Sequence, residues 1–318
     1  MMQVSGQNLN VPPARPTSTP AGGAAPAPAD NTPRETVTLG QYNIENWFTP
    51  AEADPAMGKR VKSQAELDQM ARNIDQSGAD VVTLNEVGTN LENVKAFFAQ
   101  KLPGKFPFIA MAETNDARGV HVAVASKYPI TNVVSHTDAR FPLADGSGET
   151  KFSRDLLRAD IDVKGIPMTI YTTHAKSRRV YAPGDPAHPG GENPDNQRIA
   201  EGREAVRIMQ SEMKAYPGRF YALMGDLNDG TEDKSVQAIL NPPGGDSMVD
   251  TLQGQPEKER RTWPADPRKG HGHGPEQFDH IIVPASQRDK VLDSHVVDIP
   301  GVSQQASDHL QIVAKVSL

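Results

Sequence analysis

Residues 35–318 predict a layered protein of β-sheets and α-helices, and three observations carry that expectation. Short apolar, β-rich runs recur along the whole stretch, segments of helical periodicity fall between them, and no repeat or linker interrupts the series. Periodicity leaves open whether sheet packs on sheet or helices pack on a sheet. The first 34 residues differ, holding seven of the 27 prolines, no aromatic residue, and only Arg15, Asp30 and Arg34 as charges. Such a stretch buries too little apolar surface to offset the entropy of ordering it. Residues 1–34 are therefore expected to be a disordered tail, and 35–318 a single domain.

Taken in order, residues 36–44 (TVTLGQYNI) read as a buried strand. Ser63 with Glu66 has the spacing of a capping box, and Leu67, Met70 and Ile74 then recur at helical spacing until Gly78. Residues 80–84 form a short buried strand. Leu91, Val94, Phe97 and Phe98 mark a second helix, stopped by Pro103-Gly104. Strands are expected at 120–125 and 168–173. A polar Pro/Gly-rich loop, 181–198, leads into a long helix from about 194 to 216, with Ile199, Val206, Met209 and Met213 on its inner face. Strands at 220–224, 280–283, 291–297 and 310–316 complete the set.

Composition removes several classes of function. A net charge of -7 provides no global basic field to draw the chain to a polyanion; the tail contributes +1, leaving -8 on 35–318. With zero cysteines there is no disulfide scaffold, thiol nucleophile or thiolate metal site. No apolar run approaches the ~18–20 residues of a membrane span. The opening MMQVSGQNLN has neither a charged n-region nor an apolar h-region. No signal peptide is expected, and localisation stays open between the cytoplasm and export by a non-standard route.

Chemistry concentrates where apolar strands stop. They end in Asn43-Ile44-Glu45-Asn46, Asn85-Glu86, Gly225-Asp226-Leu227-Asn228 and Ser307-Asp308-His309, while His174 and Asp279 close two others. Residues two apart on a strand point to one side, so Asn43 with Glu45, and Asp226 with Asn228, would each present two oxygen-bearing groups to one cleft. Oxygen donors suit hard cations, above all Mg²⁺, which keeps several waters and needs only one or two carboxylates. A carboxylate-bound cation with histidine and amide donors suits phosphoryl chemistry. Each cluster alone reads equally as a turn or a helix cap.

Their order along the chain resembles the endonuclease/exonuclease/phosphatase superfamily, which includes deoxyribonuclease I, the exonuclease III type of abasic-site endonucleases and neutral sphingomyelinases. YNIEN, LNEV, RGVHVAVASKYPI, GDLND, FDHIIVP and SDH are similar to six family motifs, in order, from Tyr42 to the C-terminus. The resemblance implies an α+β fold, a four-layer αββα sandwich with the active site at the strand ends on one edge. It implies Glu86 as the main Mg²⁺ ligand, assisted by Asn43, Glu45 and Asp308, with Mn²⁺ or Ca²⁺ as alternative ions. Asp226 would orient or deprotonate the attacking water, and Asn228 would hold a phosphate oxygen. His309 would contact the scissile phosphate, its tautomer held by Asp279, and His174 would be a further phosphate contact or acid. Histidine at 174 is similar to the deoxyribonuclease I side of the family, whereas Glu45 is similar to the exonuclease III side. Glu45, Glu86, Asp226, Asp279 and Asp308 gathered at a cation would account for part of the acidic excess.

Lys176, Arg178 and Arg179 beside His174, together with Arg154, would supply positive charge to a phosphate-rich substrate, although the cluster reads equally as a solvated basic turn and Arg154 as a surface ion pair. The expected function is a metal-dependent phosphodiesterase, a nuclease of low sequence specificity acting on DNA or RNA as a monomer without an obligate protein partner. The alternatives are hydrolysis of a small phosphoester or phospholipid head group, and a non-catalytic, toxin-like or binding scaffold of the same fold. Lys59, Arg60 and Lys62 read as a solvated helix start, Trp47 as core, and His271 with His273 as part of a flexible loop.

Overall fold

The computed structural model describes residues 35–185, 188–192, 194–264 and 275–318. The Pro/Ala-rich stretch 1–34 and the His271/His273 pair lie outside the described residues. In chain order the strands are β1 (Thr36–Trp47), β2 (Val81–Val87), β3 (Phe108–Met111), β4 (His121–Ser126), β5 (Ile130–Val134), β6 (Phe141–Pro142), β7 (Glu149–Thr150) and β8 (Leu156–Val163). They continue as β9 (Ile166–His174), β10 (Tyr181–Asp185), β11 (His188–Glu192), β12 (Phe220–Asp226), β13 (Met248–Asp250), β14 (Asp279–Pro284), β15 (Val291–Val297) and β16 (Gln311–Ser317). The helices are α1 (Gln64–Gln76), α2 (Leu91–Lys101), α3 (Pro194–Ala215), α4 (Lys234–Leu240), α5 (Glu257–Arg260) and α6 (Ser303–Ala306).

Two six-stranded sheets form the centre, ordered β15-β16-β1-β2-β4-β3 and β13-β14-β12-β9-β8-β5. Each is mixed, with one parallel pair, β1 with β2 and β9 with β12, among antiparallel neighbours. Strand periodicity explains the layering. In β1, Val37 and Leu39 enter a core built with Leu157, Ile170, Ala222 and Ile281 of the other sheet. Tyr42 and Ile44, on the opposite face, pack with Met70 and Ile74 of α1 and with Val94 and Phe98 of α2. On the far side, Tyr171, Leu223 and Ile282 pack with Val206 and Met209 of α3 and with Val236 and Ile239 of α4. Three apolar seams between four layers are the αββα sandwich that the resemblance implied.

Local signals hold where their physics is strong. Ser63 caps α1, receiving the Glu66 amide while Glu66 receives its own. Trp47 is core, edge-on to Phe97 at 5.0 Å. Two expectations change. The stretch 181–198 is not a continuous irregular loop: β10 and β11 pair as a hairpin and α3 begins at Pro194. Lys62 is not solvated but buried, its ammonium donating to the Ala306 carbonyl at 2.8 Å. Burial presses that ammonium down to about 8 against the nearby carboxylates of Glu45 and Glu66.

Candidate active site

The inward stripes of both sheets turn from apolar to polar at one end. On β1, Val37 and Leu39 are followed by Gln41 and Asn43; on β2, Val81 is followed by Thr83 and Asn85. On β9 the series runs Met168, Ile170, Thr172, His174, and on β12 it runs Phe220, Ala222, Met224, Asp226. Strand β14 runs opposite to β12 and begins with Asp279 ahead of Ile281 and Val283. All eight of these polar residues are buried. Most of them satisfy one another across the seam, while Thr172 Oγ1 and His174 Nδ1 have no hydrogen-bond partner. Gln41 donates to Asn85 at 2.6 Å and to Asp279 at 3.3 Å, and accepts from the Thr83 hydroxyl at 2.5 Å. Asn85 in turn accepts the Asp226 amide at 2.7 Å and donates to the Thr173 carbonyl at 3.2 Å. Gln41 drew no attention in sequence, although its parity with Val37 and Leu39 marks a polar side chain inside the sandwich.

Gly225 is what lets β9 and β12 close at this end. A Cβ there would collide with the Thr173 carbonyl. Gly225→Ala is expected to destabilise the fold by about 3 kcal/mol, read as a lower urea midpoint at an unchanged slope.

Asp226 is the centre of the polar end. Its carboxylate accepts from the Asn43 amide at 2.8 Å and from the Asn228 backbone amide at 2.8 Å. His174 Nε2 lies 3.5 Å from the same carboxylate, and His309 Nε2 lies 3.9 Å from it. Asn43 also reaches Glu86 at 3.5 Å, so one amide links the two carboxylates. His309 Nδ1 is 2.7 Å from Asp279 Oδ2. Burial raises Asp226 well above the usual carboxylate range, against the opposing charge of His309. Burial opposes protonation of His309, but the charges of Asp279 and Asp226 outweigh it and raise the imidazole. His174 goes the other way: burial, then Arg154, Arg118 and His309, hold it well below its ordinary value. It is therefore neutral at pH 7, and its Nδ1 is buried without a partner.

Four non-glycine residues of the motifs sit in the left-handed region: Glu45 (φ 52°), Asn46 (φ 52°), Glu86 (φ 64°) and Asn228 (φ 55°). Side chains rarely adopt that conformation, and such outliers gather at functional sites. It also corrects the strand argument, because a left-handed residue does not obey two-residue alternation. Glu45 Oε1 lies 3.7 Å from Arg60. Asn228 instead bonds the Ala175 carbonyl at 3.1 Å. The Asp226 and Asp279 carboxylates both face histidine. Among the described residues no three histidine, aspartate or glutamate side chains form a metal cluster. The side-chain donors at Asn43, Glu45, Glu86 and Asp308 are all oxygen, and Glu86 borders the cleft. That set fits a hard cation that keeps much of its water shell.

A cleft of about 680 Å³ opens beside this centre, bounded by Glu86, His174 and Asn228 at one end and by Arg118, Lys151, Arg154 and Arg179 elsewhere. Lys176 borders it too, but Arg178 does not. The Arg178 guanidinium meets Asp229 at 2.8 Å, Asp233 at 2.7 Å and Glu276 at 3.0 Å, over the Phe278 ring. These contacts correct its expected place among the substrate-facing cations. Arg154 is buried at the cleft wall, 2.8 Å from Asp116 and bonded to the Ala175 carbonyl at 2.9 Å. Trp263 stacks on Phe278 with centroids 4.7 Å apart and lies 6.3 Å from His309.

Helix α3 holds the segment after His174 with polar groups that apolar periodicity conceals. Ile199 and Met213 are only half-buried, whereas Arg198 and Glu201 are buried. Arg198 donates to the carbonyls of Lys176 and Ser177 and pairs with Asp229 at 2.7 Å. Glu201 accepts the Lys176 amide at 2.8 Å and both the amide and hydroxyl of Ser153, at 2.7 and 2.5 Å. Glu201→Gln would turn a donor toward donors, so a loss of about 1–3 kcal/mol is expected in urea denaturation.

A model of the endonuclease/exonuclease/phosphatase family matches residues 57–309. Comparison with curated proteins gives no match. Among solved structures, truncated TDP2 of Caenorhabditis elegans is similar at 18% identity and a TM-score of 0.59, covering 89% of this chain and 98% of its own. The human Nocturnin catalytic domain with bound sulfate has 13% identity and a TM-score of 0.59 over 89% of this chain and 96% of its own. D. rerio TDP2 complexed with a single-strand DNA product has 16% identity and a TM-score of 0.58, covering 88% of this chain and 98% of its own.

Proposed function

Because this chain belongs to the endonuclease/exonuclease/phosphatase family, we propose that it hydrolyses phosphodiesters with a divalent cation and that nucleic acid is its substrate. The observation that carries the reading is the convergence of buried Asp226, His309 paired to Asp279, and His174 on one point, with Asn228 and Glu86 bordering the cleft beside it. Glu86, with Asn43, whose amide reaches it at 3.5 Å, and with Glu45 and Asp308, would hold the cation. When bound, that ion supplies Lewis-acid stabilisation of charge on phosphate oxygens. Mg²⁺ is the ion this donor set suits best.

The protein's own groups divide the remaining work. Asp226, raised by burial and fixed by two amide donors, orients a water and takes its proton. His309, kept charged by Asp279, donates to the developing oxyanion. His174, neutral in its dry position, serves as a hydrogen-bond donor rather than a charged acid. Asn228 and Arg154 hold phosphate oxygens, and Lys176 adds charge at the cleft.

The test is cleavage of plasmid, single-stranded DNA, RNA and bis-p-nitrophenyl phosphate in Mg²⁺ and in EDTA. Turnover that falls at least ~100-fold on chelation is expected; equal rates in EDTA would sink the metal reading. A small phosphoester is the second reading, favoured because about 680 Å³ is the size of a small-ligand pocket. It predicts faster turnover of small esters than of polymers. The retention of Asp226, Asn228, Asp279 and His309 argues against a non-catalytic scaffold, and turnover of any ester would exclude one. Among the described residues no helix is long and apolar enough to cross a membrane.

A further inference from the structure

We propose that His280, outside the reacting cluster, is a positioning residue: its ring ties the backbone of Asp229 to the Asp250 carboxylate and so fixes the Asn228 turn that holds Asp226. The proposal rests on the hydrolase reading, in which Asp226 takes a proton from water, and adds the device that keeps that carboxylate in place.

Strand alternation places the ring. Asp279 and His280 are adjacent on β14, so Asp279 shares the inter-sheet face of Ile281 and Val283, whereas His280 shares the outer face of Ile282, toward α3 and α4. The ring is fully buried there. Its Nδ1 lies 2.6 Å from Asp250 Oδ2, and its Nε2 lies 2.9 Å from the Asp229 carbonyl. A carboxylate and a carbonyl only accept, so each ring nitrogen carries a proton. The Gln277 amide approaches Nδ1 at 3.2 Å, but it also donates to Asp250 Oδ2 at 3.0 Å, and the shorter contact to that oxygen keeps the ring proton between His280 and Asp250. The other Asp250 oxygen accepts the Leu252 amide at 2.8 Å. Burial opposes a charged ring, but the bond and charge of Asp250, the Asp229 carbonyl and the more distant Asp279 outweigh it and raise its affinity for a proton.

Asp229 is where the tie acts. It follows Asn228, whose left-handed backbone (φ 55°) turns its amide onto Asp226 Oδ1 at 2.8 Å. Such a conformation persists only where its surroundings over-determine it. Before the turn, the Leu227 amide donates to the Phe278 carbonyl at 2.8 Å. After it, the Asp229 carboxylate accepts from Arg178 at 2.8 Å, from Arg198 at 2.7 Å and from the Ser235 hydroxyl at 2.6 Å. Those three bonds anchor the side chain, whereas His280 grips the main chain of the residue next to Asn228. The imidazole is the bond on which the aim of the Asn228 amide depends.

The experiment sets His280→Gln against Gln287→Ala. A glutamine reaches one of the two partners and not both. Its kcat on bis-p-nitrophenyl phosphate in Mg²⁺ is expected to fall about 30-fold with KM changed less than about twofold, the pattern of a lost outer partner that orients a reacting group. Amide exchange at Asn228 should rise at least ~10-fold more than at Leu223, in the middle of β12. Gln287→Ala removes hydrogen bonds to Tyr221 and Arg219 at the other end of β12, so it should lower the urea midpoint and leave kcat unchanged. A second measurement needs no variant and decides the matter if His280→Gln does not fold: ¹⁵N NMR of the wild type at pH 7 should show a proton on both ring nitrogens of His280. A ring missing either proton, a folded glutamine variant that keeps kcat or the protection of Asn228, or equal losses of kcat in the two variants would overturn the positioning role and leave the hydrolase reading standing. Absence of wild-type turnover on every ester overturns the hydrolase reading and the positioning role with it.

Discussion

Asp226→Asn is expected to lower kcat on bis-p-nitrophenyl phosphate by about 10³-fold with the fold intact. The substitution is nearly isosteric but keeps only one oxygen: Asn43 donates to Oδ2 and the Asn228 amide to Oδ1, so one of the two donors faces the new amide group, at a cost of about 1–3 kcal/mol in stability. What it removes is basicity. A buried carboxyl raised toward neutrality is the group at this end of the sandwich suited to accept a proton from water, and general-base catalysis contributes on the order of 10²–10⁴-fold. The asparagine also ends the attraction on His309, which lies 3.9 Å away. Far-ultraviolet circular dichroism and the urea midpoint separate chemistry from folding. A variant that keeps more than about a tenth of the wild-type rate would remove Asp226 from the proposed role.

Much of this arrangement is legible in sequence because β-strands alternate strictly. An apolar stripe such as Phe220, Ala222, Met224 that ends in Asp226 announces a carboxylate at the rim of a two-sheet interface. The same parity brings Asn43, His174 and Asp279 to that rim. Parity fails where the backbone leaves the strand. Nothing in Glu45, Glu86 or Asn228 as residue types signals a left-handed conformation, so two-residue alternation does not describe the chain at those turns. Arg178 and Arg179 are adjacent and identical in chemistry, and the difference between them is set by Asp229, Asp233 and Glu276, which are distant in sequence. Strands β3 and β5 escaped notice because each is an edge, with half-exposed patterns that lack clean alternation. The β10–β11 hairpin is built from prolines and glycines, residues that ordinarily mark loops. Arg198 and Glu201 hide on a helix whose apolar spacing alone suggests Ile199 and Met213.

Asp279→Asn and His309→Ala are expected to cost about the same, on the order of 10²–10³-fold in kcat, and the double variant little more than either. The argument is that the pair works as one unit. Asp279 is fully buried, its carboxylate 2.7 Å from His309 Nδ1, and its backbone amide is bonded to the Thr262 hydroxyl at 3.0 Å, so strand β14 delivers it in a fixed pose. That pose orients the ring with Nε2 toward Asp226 and raises its affinity for a proton. An asparagine keeps the shape and loses the charge. The ring then lacks both the orientation and the protonation needed to face a developing oxyanion, as if the imidazole were absent. Independent contributions would instead multiply, giving a double variant weaker than either single one by a further ~10²-fold. A double-mutant cycle on kcat, with each variant's urea midpoint measured in parallel, distinguishes the two outcomes. Multiplicative losses would mean that Asp279 supports the fold around His309 and does not act through it.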